Sequence, residues 1–253
     1  MVWKPKFFTM IIMGVILSTI VSTTIISTQA FASPNVFSPG SSPYGQTYGE
    51  WSADWWRWAA AAGFDPIIYD DTNLPTDPDT GDLLVSDFDT ICNEGQTDEN
   101  VFYLAGTFGG SAERTCTVPE GKAIFFPLIN ALCTLTAANL TPLTKPADTV
   151  TTVGSEKICA KIIDRTNHLE VQVDGSEVVN LDQFRFKSGS FDITLPGLGP
   201  VNAVSDGYWI MLEPLSSGEH TIHFIGERTG GSPAGGRING SFTTEVTYNL
   251  TVE

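Results

Sequence analysis

Glu50, Asp54, Trp56 and Arg57 fall within eight residues, on a segment that also carries Trp51, Trp55 and Trp58. Carboxylates and a guanidinium beside an aromatic plane can hold a sugar ring, by stacking on its face and bonding its hydroxyls. The same Glu50 and Asp54 are the residue types that a polysaccharide hydrolase uses on either side of a glycosidic bond. With 29 acidic residues in the chain, however, close carboxylate pairs also arise by chance. For Trp56 the alternative is packing against a second neighbour in the core.

A second set of hard oxygen donors lies downstream. Asp77, Asp79 and Asp82, with Asp70 and Asp71 nearby, are suited to Ca²⁺. The stretch DPDTGD matches a calcium loop only in part: its glycine comes one place early, and Phe88 occupies the twelfth position where a bidentate glutamate is needed. A solvated acidic loop is the competing reading. The histidines offer less. His220 and His223 are three apart on a predicted strand, which points them to opposite faces, and His168 has no recognisable partner. No G-x-S-x-G elbow occurs, and GGSPAGG (230–236) reads as a hairpin loop because no helix follows to cradle a phosphate.

The elements that must position these groups can be read from periodicity. Thr47 and Glu50 form a T-x-x-E capping box, and Gly63 with Pro66 ends the helix they open. Tyr48, Trp51, Trp55, Trp58 and Ala62 recur at spacings of 3, 4, 3 and 4, an apolar stripe on one side of that helix. Trp56 lies off the stripe, with Glu50 and Arg57 on the opposite flank and Asp54 at its border. Residues 65–99 form an acidic surface loop, with eight aspartates between positions 65 and 89. Strands are predicted at 100–108, 114–118 and 122–129, with Pro127 marking the end or an edge of the last. Residues 134–153 read as a Thr-rich loop, and Ser155 as the cap of a second short helix. Beyond His168 the period becomes two, with a hairpin about Asp174-Gly175 and a closing strand whose Val246, Tyr248, Leu250 and Val252 face inward.

Composition places the chain outside the cytoplasm. Residues 1–32 read as a signal peptide: Lys4 and Lys6, an apolar run from Phe7 to Ile26, and the small-x-small site Ala30-Phe31-Ala32. The chain's formal charge is −16, and loss of both leader lysines makes the remainder more acidic. That surface repels nucleic-acid phosphates, so no nucleic acid is expected as partner, and no later apolar run is long enough for a membrane span. Cys92, Cys116, Cys133 and Cys159 are an even set that suits two disulfides in an oxidising compartment. Three connectivities are open; Cys92–Cys116 with Cys133–Cys159 is preferred because each closes a compact loop.

Two resemblances add to this. VQVDG, LEPLSSGEHTIHF and TTEVTYNLTV resemble the closing strands of bacterial and archaeal immunoglobulin-like modules. YGEWSADWWRW, FYLAGTFGG, RTCTVPEGKAIFFPLIN and DGYWIMLEPLSSGEHTIHF together resemble a family of secreted microbial proteins. That resemblance implies one extracellular architecture joining both halves, and it brings no catalytic residues.

The expected fold is therefore mainly β: an immunoglobulin-like or jelly-roll-type sandwich with a Trp-rich N-terminal helix and a second short helix. An extended leader (33–46) precedes an α+β lobe (47–166), and an immunoglobulin-like half (167–253) packs with that lobe. The expected function is a non-catalytic binding module, secreted or attached to the cell envelope. Its partner is a glycan or envelope component held by Trp56, Glu50, Asp54 and Arg57, with Ca²⁺ on Asp77, Asp79 and Asp82 as the candidate ion. A polysaccharide hydrolase and a structural surface or adhesion component are the alternatives.

Overall fold

Helix α1 (Tyr48–Ala61) opens with the capping box in place: the Thr47 hydroxyl accepts the Glu50 amide, and the Glu50 carboxylate accepts the Thr47 amide at 2.7 Å. It closes in a Schellman arrangement, the Phe64 amide donating to the Ala59 carbonyl and the Gly63 amide to that of Ala60. In this computed structural model, Met1 and residues 34–134, 152–230 and 241–253 are described. The expected signal peptide after Met1, its proposed cleavage site, most of the Thr-rich loop and all of GGSPAGG after Gly230 lie outside the described residues. Contacts group Phe31–Glu253 into one compact unit.

The described residues form a mainly β fold of two five-stranded sheets. The strands are β1 (Val101–Tyr103), β2 (Gly110–Val118), β3 (Ala123–Thr134), β4 (Thr166–Val173), β5 (Ser176–Glu177), β6 (Arg185–Lys187), β7 (Phe191–Leu195), β8 (Gly199–Leu212), β9 (Gly218–Thr229) and β10 (Ser241–Val252). The first sheet runs β1-β3-β8, with β6 and β7 following one another along the far edge of β8. The second runs β2-β10-β9-β4-β5, with β2 and β10 parallel. Each sheet draws strands from both halves of the chain.

Alternation along β3 and β8 explains the layering. Phe125 and Trp209 stack 5.3 Å apart on one face of the first sheet, where α1 lies across it and Trp55 meets Trp209 edge-on. Phe126 points the other way, to Phe224 of the second sheet at 5.0 Å. Further along that face, α4 (Thr152–Ile163) takes the place of the second sheet, burying Cys159 and Ile163 against Ala131, Cys133 and Val204. Arg185 fastens this corner with two hydrogen bonds to the buried Asp206 and one to Asp164.

Close approaches fix both interfaces. A β-carbon at Gly49 would lie 2.3 Å from the Lys187 carbonyl, and one at Gly226 would lie 2.1 Å from that of Leu128. The first lets α1 settle on β6; the second lets β9 cross β3.

The disulfides are Cys92–Cys116, tying α3 (Phe88–Cys92) to β2, and Cys133–Cys159, tying β3 to α4. This is the preferred pairing. Several local expectations need correction. Residues 65–99 are not all loop: α2 (Asp65–Ile68) and α3 bury Ile67, Phe88, Ile91 and Cys92. Pro127 does not end β3, which bulges between Pro127 and Ile129 and continues to Thr134; it lies just past the residues that β1 covers, where one side of the strand is an open edge. The strand expected at 100–108 pairs only over Val101–Tyr103. Ser155 lies inside α4, its hydroxyl donating to the Thr134 carbonyl, so it caps nothing.

Candidate functional site

Of the concavities that flank α1, two bear on function. The first runs along its solvent side, where Glu50, Asp54 and Arg57 share a strip at i, i+4 and i+7 and face Lys187, Ser188 and Ser190. This groove holds about 480 Å³. The structure therefore brings together three of the four residues that the sequence singled out. They are already engaged with their neighbours. Arg57 donates to Asp54 at 2.6 Å and to the Asp192 carbonyl at 3.1 Å, with its guanidinium 5.0 Å from the Phe191 ring. The Thr47 amide, then the Thr47 hydroxyl, holds the Glu50 carboxyl below its ordinary range. A general acid needs the opposite shift, so Glu50 is poorly suited to that role.

Trp56 is not on this groove, and it is not an exposed platform. It is 7% exposed, its indole donates to the Ser205 hydroxyl at 3.2 Å, and its ring meets Trp55 edge-on at 5.0 Å. The reason is the width of the buried face of α1. Gly49, Ser52, Ala53, Ala59 and Ala60 are buried as well as the stripe, because small side chains let β6 and β8 close on the second flank. The other three tryptophans behave likewise: Trp51, Trp55 and Trp58 donate to the carbonyls of Pro43, Leu104 and Glu94.

The second concavity lies at the C-terminal end of α1, and Trp56 forms part of its wall. β1 covers β3 only as far as Phe125; beyond it the β3 edge turns toward a pocket of about 370 Å³. Trp55, Trp56, Phe64, Phe108, Leu198 and Phe242 supply most of its apolar lining. Phe64 reaches it from a left-handed backbone (φ 67°), an unfavourable conformation for a bulky side chain, and meets Phe108 at 5.9 Å and Trp56 at 6.5 Å. Phe108 is 59% exposed at the mouth, although it is a phenylalanine.

Beside Thr107, two polar side chains enter this apolar wall, and sequence reasoning missed both. One is Arg228; the other is Asn130. A period-two signal could have found the first. Ile222, Phe224, Gly226 and Arg228 share the inward face of β9, so the pattern that places two apolar residues inside places the arginine there too.

The acidic loop expected to hold calcium through Asp77, Asp79 and Asp82 is organised by its own hydrogen bonds. Asp77 accepts the amides of Asp79 and Thr80, at 2.8 and 2.9 Å, and those bonds hold its carboxyl below its ordinary range. Its carboxylate caps a turn. Asp79 and Asp82 do not converge with it, and among the described residues no three His, Cys, Asp or Glu side chains are gathered for a metal ion.

One arrangement mimics a nucleophile relay. His220 lies 2.7 Å from Asp174 and 3.4 Å from the Ser216 hydroxyl. The closer partner of Nε2 is the Ser216 carbonyl, at 2.8 Å. That nitrogen therefore carries a proton, and no lone pair faces the serine hydroxyl. Burial alone would lower the imidazole pKa; bonds to Asp174 and Ser216, with the Asp174 and Glu219 charges, outweigh it and raise the value. The trio locks the turn before β9.

No protein-family model and no curated protein matches the chain. Among solved structures it is similar to the cysteine protease inhibitor EhICP2 from Entamoeba histolytica, at 13% identity, covering 61% of this chain and 96% of that one, with a TM-score of 0.21. It is also similar to amebosin, at 12% identity, covering 61% of this chain and all of that one, with a TM-score of 0.20. Likeness this slight carries no weight for fold or function. What the coordinates define is a disulfide-bonded, two-sheet β protein, and no helix among the described residues is long and apolar enough to cross a membrane.

Proposed function

We propose that this chain is an exported, non-catalytic binding protein whose ligand enters the pocket at the C-terminal end of α1. One observation carries the reading: a pocket of about 370 Å³ at the C-terminal end of α1 is lined by Trp55, Trp56, Phe64, Phe108 and Phe242. That volume lies within the roughly 300–1,000 Å³ of small-molecule sites. The two disulfides suit an oxidising compartment, in line with the leader-like sequence of residues 1–32. The test is calorimetric titration of the full chain with 1-naphthylmethanol, beside a Phe108→Ala variant. Phe108 is exposed, so its removal should leave the fold intact while weakening binding several-fold. Absence of saturable binding overturns the proposal.

A second reading has its own observation, the convergence of Glu50, Asp54 and Arg57 with Lys187 and Ser190 on the α1 groove. Carboxylates, a guanidinium and hydroxyls there could bond the hydroxyls of a glycan of the cell envelope, without the ring stacking that Trp56 would have supplied. A thermal-shift screen against soluble glycans tests it. Stabilisation lost in Asp54→Asn supports the groove, and release of reducing ends would turn the assignment toward a hydrolase.

A further inference from the structure

Two buried arginines lie among the described residues, and within those residues one is far better satisfied than the other. Arg114 makes five hydrogen bonds: to the carbonyls of Ile67, Tyr69, Ala105 and Gly106, and to the Tyr248 hydroxyl. Arg228 is 4% exposed yet makes one among the described residues, to the Gly230 carbonyl at 2.9 Å, with its guanidinium 4.7 Å from the Phe242 ring. No carboxylate among the described residues pairs with it. A guanidinium has five N–H donors, and burying its charge without a counter-ion is costly, even with an aromatic face beside it. Burial, and next the neighbouring Arg165 charge, lower its pKa.

Asn130 adds an independent sign. Its side-chain nitrogen is shut off from solvent and has no hydrogen-bond partner among the described residues. Buried amide donors are rarely left so. The β-strand crossing explains why both groups line one pocket. Gly226, two residues before Arg228, rests on the carbonyl of Leu128, two residues before Asn130.

We infer that the pocket takes a small amphipathic anion, an aromatic-sized apolar body with a carboxylate head bonded by Arg228 and Asn130. This rests on the proposal that the pocket binds a ligand at all. The aromatic wall of Trp55, Trp56, Phe64 and Phe108 receives the body, and the anion supplies the charge and acceptors that the protein withholds from its own arginine.

The test compares two probes of nearly equal shape, 1-naphthoate and 1-naphthylmethanol, by calorimetric titration of the full chain. A charge-assisted bond predicts at least about tenfold tighter binding of the acid, weakened by added salt. Arg228→Met should remove that preference while keeping the alcohol's affinity. Equal affinity of the two probes in the native chain overturns the anion inference and leaves the pocket proposal standing. Binding of neither probe overturns both. A preference that survives in a folded Arg228→Met variant also overturns the role of Arg228. If that variant does not fold, Arg228→Lys, which keeps the charge and loses the fork, should retain the preference in reduced form, and full loss in a folded Lys variant counts against the inference.

Discussion

Gly226 holds β9 against β3, so Gly226→Ala is a direct probe of the packing and of the pocket beside it. The new β-carbon would lie 2.1 Å from the Leu128 carbonyl oxygen, 2.7 Å from its carbon and 2.9 Å from the Ile129 β-carbon. Two of these three atoms are backbone, which no rotamer change can move aside. Relief requires the strands to part until the oxygen contact opens from 2.1 Å to the 3.4 Å of ordinary packing. A gap of about 1 Å forfeits up to half of the dispersion attraction between facing atoms, here Phe126 against Phe224. Overpacking costs typically 1–3 kcal/mol, and a backbone clash belongs at the upper end, about 3 kcal/mol. At about 2–4 °C per kcal/mol for a chain of this size, the melting temperature should fall by about 6–12 °C. Circular dichroism melts should be run beside Gly189→Ala, where an added β-carbon meets nothing within 4 Å. That control should stay within about 2 °C of the parent, since substitutions away from such contacts change stability by about 0.5 kcal/mol at most. If both variants melt alike, β9 does not cross β3 as described, and the reason for finding Arg228 and Asn130 in one pocket goes with it.

Three further outcomes follow from the same contacts. The raised His220 value means that its ion pair stabilises the fold fully below the unfolded imidazole value of about 6.5, and the benefit fades as pH rises through the folded value. The stability difference between parent and His220→Gln should therefore be largest near pH 5 and shrink toward pH 9 in denaturant titrations; a flat difference would remove the charged pair. Replacing Cys92 and Cys116 together by serine opens a loop of separation 24 and should cost roughly 3 kcal/mol, read as a lower denaturation midpoint with unchanged slope. Melting in calcium chloride and in EDTA should agree within about 1 °C, because the Asp77 carboxylate is committed to its turn; a calcium-dependent rise would restore the metal site.

What the sequence makes legible is what depends on near neighbours. The Thr47–Glu50 box needs only four consecutive residues, and both halves of it are formed. The Asp174-Gly175 hairpin shows equally well, since both residues take the positive φ that the turn demands. The second buried flank of α1 was hidden because Gly49, Ser52, Ala53, Ala59 and Ala60 carry no apolar signal; they matter for what they leave room for. Trp56 follows from that flank. The continuation of β3 past Pro127 depended on a bulge opposite β8, a partner some 80 residues away. The groove residues Glu50, Asp54 and Arg57 are found by type and spacing, and the hold of Thr47 on Glu50 shows as the capping box, but the bond from Arg57 to the Asp192 carbonyl, 135 residues away, is not visible in the sequence. The pocket was beyond reach for a stronger reason, since its wall draws on α1, β3, β9 and β10 and on connections between them.

The parallel pairing of β2 with β10 also governs the order in which the molecule can be completed. β10 occupies the place between β2 and β9, in register with β2 from Thr244–Gly110 to Val252–Val118. A chain made from its N-terminal end delivers Gly110–Val118 long before Ser241–Val252. Until the later strand arrives, β2 has no strand partner among the described residues and β9 has one open edge, so the second sheet cannot close. Completion of this sheet waits on the last strand, and the unpaired edges stand exposed until it slots in.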